Sequence, residues 1–185
     1  TRLAATIGHD AALAIYRELL AHTRRLAQSF AGKAVIWYGN EMPEFDLWSE
    51  AGFDRYQQQG ADLGERMAHA FEWGWQQGYE RIAIIGSDCA TLTSEILENA
   101  FVHLRETDAV IGPAEDGGYY LLGMSQWTPA VFQQKNWSTE TVCEATIADL
   151  QIANRSFALL PTLSDVDTEA DVQGTFLEGF LASLS

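Results

Sequence analysis

The stretch VIGPAEDGGYYLLG, residues 110–123, decides the fold of this chain. Two apolar runs that favour β-strands flank an acidic pair, Glu115 and Asp116, and two glycines follow that pair. Asp-Gly is a strong turn signal, so the pattern predicts a β-hairpin. A turn does not require two adjacent carboxylates, however. They are either turn chemistry or part of a site, and the choice between these depends on which other acids lie near them.

Segments typical of helices and of strands alternate on both sides of this hairpin. The run RIAIIGSD, residues 81–88, indicates a strand buried on both faces, and further strands are expected over 34–39 and 155–161. Apolar spacing predicts helices over 10–30, 62–77, 94–105 and 139–150 and a last helix that ends near residue 184. Residues 40–60 are expected to be irregular or only briefly ordered. The alternation predicts one α/β domain over residues 1–185, with a mainly parallel central sheet flanked by helices.

Composition limits the classes of partner. The chain has 185 residues with 26 acidic and 11 basic side chains, a net charge of −15, which disfavours nucleic acid and anionic membrane surfaces. The absence of a long apolar run and of a signal-peptide pattern predicts a cytoplasmic protein. Two cysteines are too few for a disulfide framework or a zinc cluster. No nucleophile elbow, P-loop or dinucleotide fingerprint is present.

Acidic residues follow three of the predicted strands. Asp88 follows the first, the pair at 115–116 follows the second, and Asp165 and Asp167 follow the third. If the strands are parallel, these carboxylates meet at one edge of the sheet, where ligands of α/β proteins bind. Converging carboxylates repel each other unless a cation lies between them, and oxygen ligands favour Mg²⁺ or Mn²⁺. The sequence therefore predicts a divalent metal that holds a phosphorylated ligand.

Each of these acids also has a simpler interpretation. Asp88 could cap the helix that follows it, Asp116 could only form a turn, and Asp165 or Asp167 could cap the last helix. The six tryptophans are expected mostly in the core. Trp127 and Trp137 could instead line a pocket for an acceptor.

The whole set of segments resembles a known family. The segments are TRL at residue 1, QQGADLGERMAHAF from residue 58, IIGSDCATLT from residue 84, the hairpin and LSDVDTEAD from residue 163. They resemble nucleotide-diphospho-sugar transferases of the glycosyltransferase-A type. More narrowly, they resemble the radical-SAM/selenodomain-associated or arsenosugar-biosynthesis glycosyltransferases, which are related to MobA-like nucleotidyltransferases.

The resemblance implies a metal-dependent glycosyltransferase that uses a nucleotide-sugar donor and a small-molecule acceptor. Asp88 and Asp116 would be catalytic, and Asp116 would orient or deprotonate the acceptor. Mg²⁺ or Mn²⁺ would be held by Asp88, Asp165 and Asp167. The residues implied in binding the nucleotide or donor are Arg2, Gly60, Asp62, Arg66, Gly117 and Gly118.

Two departures from the family pattern leave alternatives open. Ala90 stands where the family usually has proline, and of the family's opening strand and glycine-rich loop only Thr1, Arg2 and Leu3 match. The first strand is therefore expected to be missing from this chain, and the exposed sheet edge would favour a homo-oligomer. One alternative is a nucleotidyltransferase that releases pyrophosphate. The other is a catalytically inactive nucleotide-binding homologue.

Overall fold

A computed structural model describes residues 2–184 of the chain. The predicted helices and strands all appear in the predicted order, together with two short α-helices and one strand that were not predicted. The helices are α1 (Arg2–Ile7), α2 (His9–Ser29), α3 (Leu47–Glu50), α4 (Leu63–Gln76), α5 (Ser94–His103), α6 (Val142–Ile152) and α7 (Phe176–Ser183). The strands are β1 (Val35–Tyr38), β2 (Asp54–Gln57), β3 (Ile82–Ile85), β4 (Ala109–Pro113), β5 (Tyr119–Met124) and β6 (Phe157–Leu159).

The central sheet has four strands in the order β3-β5-β4-β6. The hairpin strand β5 is antiparallel to both β3 and β4, whereas β4 and β6 are parallel. Strands β3, β4 and β6 therefore all run in one direction, with β5 inserted between β3 and β4. The α/β fold with a parallel-rich sheet and flanking helices is confirmed, and the hairpin lies at its centre.

Strands β1 and β2 form a separate parallel pair, with Val35 opposite Asp54 and Tyr38 opposite Gln57. Residues 40–60 are only briefly ordered, as expected, since the four-residue helix α3 and the four-residue strand β2 lie within them, although β2 itself was not predicted. The sequence of β2, DRYQ, has no apolar face, so only its backbone pairing with β1 reveals it. Among residues 2–184, no strand pairs with the second edge of β3.

The apolar core lies on both faces of the central sheet. Val110 and Ile111, which are adjacent in β4 and fully buried, belong to different clusters because successive side chains of a strand point to opposite faces. One face packs with α5 and the other with α4 and α6. A third cluster joins α1, α2 and α7, and it includes Ala90 and Val166, which lie beside the predicted acidic residues.

None of the helices within residues 2–184 combines the length and apolar character needed to cross a bilayer.

The packing of Gly112 against Tyr120 gives a direct test of the hairpin. A Cβ on Gly112 would lie 2.6 Å from Cε2 and 2.8 Å from Cε1 of the Tyr120 ring, which is buried and whose hydroxyl donates to the Pro161 carbonyl at 3.0 Å. We expect Gly112→Ala to lower the free energy of unfolding by about 1–3 kcal/mol because the ring must shift. Urea denaturation measures this change.

Gly179→Ala is the matched control, because Gly179 is exposed in α7 and a Cβ there meets no atom within 4 Å. It should stabilise the protein slightly, since alanine favours the helix. Equal stability of the two variants would contradict the packing of Gly112.

Candidate functional site

The acidic residues that follow β3, β4 and β6 meet at one edge of the sheet. Backbone hydrogen bonds hold their loops together: Glu115 N–H donates to the Leu163 carbonyl at 3.0 Å, and Leu163 N–H donates to the Pro113 carbonyl at 3.1 Å. Val166 N–H donates to the Asp88 carbonyl at 2.9 Å. Three loops that are distant in sequence thus carry Asp88, Asp116 and Asp165 to one place. We call Asp88, Asp116, Asp165 and Asp167 the acidic cluster.

The charges of the acidic cluster affect each other. Burial, followed by the negative charges of Asp88, Asp116, Asp167 and Asp171, raises the pKa of Asp165 to about 7. The pKa of Asp88 is also raised, first by desolvation and then by the charges of Asp167 and Asp116, although its own backbone N–H opposes the shift. Asp88 as a residue is exposed, but its Oδ1 lies over the backbone of Gly86, so one side of the carboxylate is shielded from water.

Asp165 carries an oxygen without a partner. Its Oδ1 is shielded from solvent and accepts no hydrogen bond within the described residues. Buried polar atoms are rarely left unpaired in folded proteins, so this oxygen is suited to contact a ligand. The donor chemistry of the cluster fits a hard divalent cation. No group of three or more His, Cys, Asp or Glu side chains in residues 2–184 is already arranged as a metal site, however.

Arg2 forms an ion pair with Asp167 at 2.9 Å. Both side chains are more than half exposed, so the pair contributes little to stability and can open easily. The structure therefore places a residue predicted to bind the donor against a residue predicted to bind the metal. Thr1, which belongs to the same matching segment, lies outside the described residues.

The segment after Asp165 is held by Asp171, which the sequence analysis did not single out. The Asp171 carboxylate accepts hydrogen bonds from the backbone N–H groups of Asp167 at 3.1 Å and Thr168 at 2.7 Å. The last helix is capped by Thr175, so neither Asp165 nor Asp167 serves as its N-cap. The only sign of this role in the sequence was the spacing of Asp167 and Asp171 in DVDTEAD, and the same spacing occurs in ordinary capping turns.

The turn at Asp116 combines local and distant contacts. Asp116 Oδ1 accepts a hydrogen bond from the Gly118 N–H at 2.8 Å, so the turn interpretation is correct for this oxygen. Gly117 has φ 86° and packs directly on the backbone of Glu140, which leaves no space for a side chain. The charge of Asp116 nevertheless raises the pKa of both Asp88 and Asp165.

The structure gathers Gly60, Asp62 and Arg66 into one unit at the start of α4. Asp62 is the N-cap and accepts from the Glu65 N–H at 2.9 Å, while Arg66 Nε donates to the Gly60 carbonyl at 3.3 Å. Gly60 adopts φ 140°, and a Cβ there would lie 2.7 Å from the Arg66 nitrogen. Among the described residues, no hydrogen bond or ion pair joins this unit to the acidic cluster. The candidate site residues thus form two groups, the acidic cluster and the unit at residues 60–66.

A family profile described as an uncharacterized protein conserved in bacteria, DUF2064, matches residues 20–139, which is more than half of the chain. The chain belongs to the DUF2064 family. No curated protein matches its sequence.

Two solved structures resemble the chain. One, from Desulfovibrio desulfuricans G20, is provisionally assigned as a nucleotide-diphospho-sugar transferase; it is 28% identical, with a TM-score of 0.87 over 98% of this chain and 87% of that chain. The other is a CMP:2-keto-3-deoxy-manno-octonic acid synthetase in complex with CTP, 13% identical, with a TM-score of 0.54 over 90% of this chain and 87% of that chain. The expected relationship to nucleotide-diphospho-sugar transferases is confirmed, and the second likeness shows the fold alone.

The raised pKa of Asp165 makes stability depend on pH. A carboxyl group whose pKa rises from 3.8 to about 7 on folding binds more protons in the folded state between these values. Its contribution to the free energy of unfolding is therefore largest below pH 4 and declines as the pH rises to 7. With a chelator present, we expect the stability of the wild type relative to Asp165→Asn to fall across this range and to stay constant above pH 8. Urea denaturation between pH 4 and 9 tests this expectation.

The exposed substitution Glu98→Gln in α5 is the control, and it should leave the pH profile unchanged. Parallel profiles for the wild type and Asp165→Asn would show that this carboxyl group is not perturbed.

Proposed function

We propose that this protein is a metal-dependent transferase that uses a nucleotide-activated sugar as its donor. The observation that carries the proposal is the acidic cluster, in which carboxylates from three loops raise the pKa of Asp88 and Asp165 around a buried, unpaired oxygen of Asp165. Such an arrangement is unfavourable without a cation and becomes favourable with one. The fold it shares with the provisionally assigned nucleotide-diphospho-sugar transferase supports the choice of donor.

Asp88 and Asp165 are the residues that would hold Mg²⁺ or Mn²⁺. Asp167 would join them once its exposed ion pair with Arg2 opens. A bound divalent cation would neutralise the charge that develops on the leaving diphosphate. The oxygen-only donor set and the unpaired Oδ1 of Asp165 support this assignment.

Two arginines, Arg66 in the 60–66 segment and Arg2 beside the acidic cluster, would bind the phosphates of the donor. Arg66 Nη1 lies 4.0 Å from the Cβ position of Gly39, just after β1, so its side chain extends from α4 toward the end of that strand. Arg2, released from Asp167, would be the second cation. Arginine suits this role because its planar donors match phosphate oxygens. Asp62 would act by capping α4 and so positioning Arg66.

Asp116 would orient or deprotonate the acceptor hydroxyl. The hydrogen bond from the Gly118 N–H fixes Oδ1 on the turn, and Asp116 is exposed, so an acceptor can reach its carboxylate. An acceptor oxygen held there would attack the anomeric carbon, the bond to the diphosphate would break, and the proton would pass to the carboxylate.

A nucleotidyltransferase is the second candidate. One structure with this fold, the CMP:2-keto-3-deoxy-manno-octonic acid synthetase, was solved with CTP. The same acidic cluster could serve a reaction in which a nucleoside triphosphate loses pyrophosphate. Ligand preference separates the two candidates, since only the second requires a triphosphate.

Ligand-dependent thermal stability tests the proposal. The ligands are UDP, GDP, CDP and ADP, their sugars and the nucleoside triphosphates, each with Mn²⁺ or with a chelator. A ligand at one hundred times its Kd should stabilise the wild type by about 2.7 kcal/mol. We expect a shift with a diphosphate or a nucleotide-sugar that requires Mn²⁺ and is lost in Asp88→Asn but kept in Glu98→Gln.

The other outcomes are equally informative. A shift confined to triphosphates would replace the glycosyltransferase with the nucleotidyltransferase. A metal-independent shift, or one that Asp88→Asn retains, would exclude the role of the acidic cluster. No shift with any ligand would contradict nucleotide binding by this chain and, with it, both candidate functions.

A further inference from the structure

The segment 133–141 lies between a 3₁₀ turn (Pro129–Phe132) and α6, and its backbone is strained. Gln134 has φ 53° and Ser138 has φ 62°, which places two residues other than glycine in the left-handed region. Each such residue destabilises the fold and persists only where surrounding contacts enforce it. The contacts that hold this segment are therefore strong enough to outweigh the strain.

The first contact joins the segment to α6. Lys135 forms an ion pair with Asp149, and its side chain is only 3% exposed. A buried ammonium group requires a partner of opposite charge, because an unpaired one would strongly destabilise the fold. The ion pair thus attaches the start of the segment to α6, which packs on one face of the central sheet.

The second contact joins the segment to the start of α4. The Trp137 ring packs so closely on the backbone of Gly64 that a Cβ there would lie 2.5 Å from both Cε2 and Nε1 of the indole. Gly64 is the second residue of α4 and lies two positions before Arg66, one of the candidate phosphate-binding residues. Trp137 also packs with the cluster that contains Met67 and Phe71.

The third contact joins the segment to the Asp116 turn. Glu140 lies against Gly117, with its Cα 2.6 Å from the Cβ position of that glycine, and the Cys143 N–H donates to the Gly117 carbonyl at 2.9 Å. The segment therefore contacts the candidate acceptor turn at one end and the candidate donor segment through Trp137. No hydrogen bond or ion pair found within residues 2–184 connects the turn directly to residues 60–66.

We propose that Trp137 is a positioning residue, which through segment 133–141 sets the separation between the Asp116 turn and the 60–66 segment. The indole fits only because position 64 is glycine, and the turn fits the segment only because position 117 is glycine. Gly64 and Gly117, which belong to two distant motifs, are thus both required by contacts with segment 133–141. The role in catalysis rests on the proposed function, since the two ends bind donor and acceptor only there.

Hydrogen exchange tests the connection without any ligand. In Trp137→Ala, we expect amide exchange to become on the order of tenfold faster in both residues 60–66 and residues 114–120, which corresponds to about 1.4 kcal/mol. Trp127→Ala is the matched control, because the Trp127 ring contacts Phe71, Trp75 and Phe132 in the same core. Faster exchange only near position 137, or an equal pattern in the control, would overturn the proposal.

A double-mutant cycle tests the contact itself. Gly64→Ala should reproduce the exchange pattern of Trp137→Ala because the added methyl group displaces the indole. In Gly64→Ala/Trp137→Leu, the second substitution should add little to the first, since the two residues act through one contact. Additive effects would contradict the contact.

Ligand affinity separates positioning from the proposed function. The probes are Mn²⁺ alone, UDP with Mn²⁺ and CTP with Mn²⁺. Trp137→Ala should weaken binding of the nucleotide that the wild type binds. It should leave the Kd for Mn²⁺ unchanged, because Asp88, Asp165 and Asp167, which would hold the metal, lie on loops that segment 133–141 does not carry. Equal loss of Mn²⁺ affinity would overturn the positioning role. If the wild type binds none of the nucleotides used in the thermal-stability test, the proposed function fails, and hydrogen exchange still decides the role of Trp137.

Discussion

The candidate site depends on one set of backbone hydrogen bonds, those that join residues 113–115 to Leu163 and Val166 to Asp88. Each such bond contributes about 0.5–1.5 kcal/mol, and together they oppose the repulsion between the carboxylates that they bring close. The direction of β3, β4 and β6 makes this pairing possible, because the loops that follow them leave the sheet at the same edge. The fold thus enforces a charge arrangement that the side chains alone would avoid.

The two tyrosines of the hairpin, Tyr119 and Tyr120, make contacts on opposite faces of the sheet, and each connects the hairpin to a different part of the candidate site. Tyr120 donates to the Pro161 carbonyl at 3.0 Å and so holds the chain that leads to Asp165. Tyr119 points to the other face, where its hydroxyl donates to Met67 Sδ at 3.9 Å and burial raises its pKa. Met67 belongs to α4, the helix that begins with the candidate donor segment. Consecutive residues of one strand therefore contact the two halves of the site.

The sequence predicted the features that have periodic or strongly local signals. The strand β3 and the hairpin at residues 110–123 were predicted because a continuous apolar run and Asp-Gly are specific signals, and the order of the strands predicted the acidic edge. The expectation that β3 is buried on both faces is wrong, because β3 lies at an edge of the sheet and is only half-buried. Strand β2 was missed because its four residues show no apolar alternation. Asp171 was missed because its role depends on the fold of its own loop. The contact of Trp137 with Gly64 joins residues 73 positions apart, so no local pattern could reveal it.

The carboxylate of Asp116 shows that a turn residue and a site residue need not be alternatives. Its Oδ1 accepts the Gly118 N–H, which fixes the side chain relative to the backbone, while its charge still affects Asp88 and Asp165. A carboxylate on an unconstrained loop would move away from other negative groups, because the same charges would repel it. The Asp-Gly-Gly turn prevents this movement, and the close contact of Gly117 with Glu140 prevents the turn itself from shifting. The turn geometry is therefore the means by which the fold keeps Asp116 at the acidic edge.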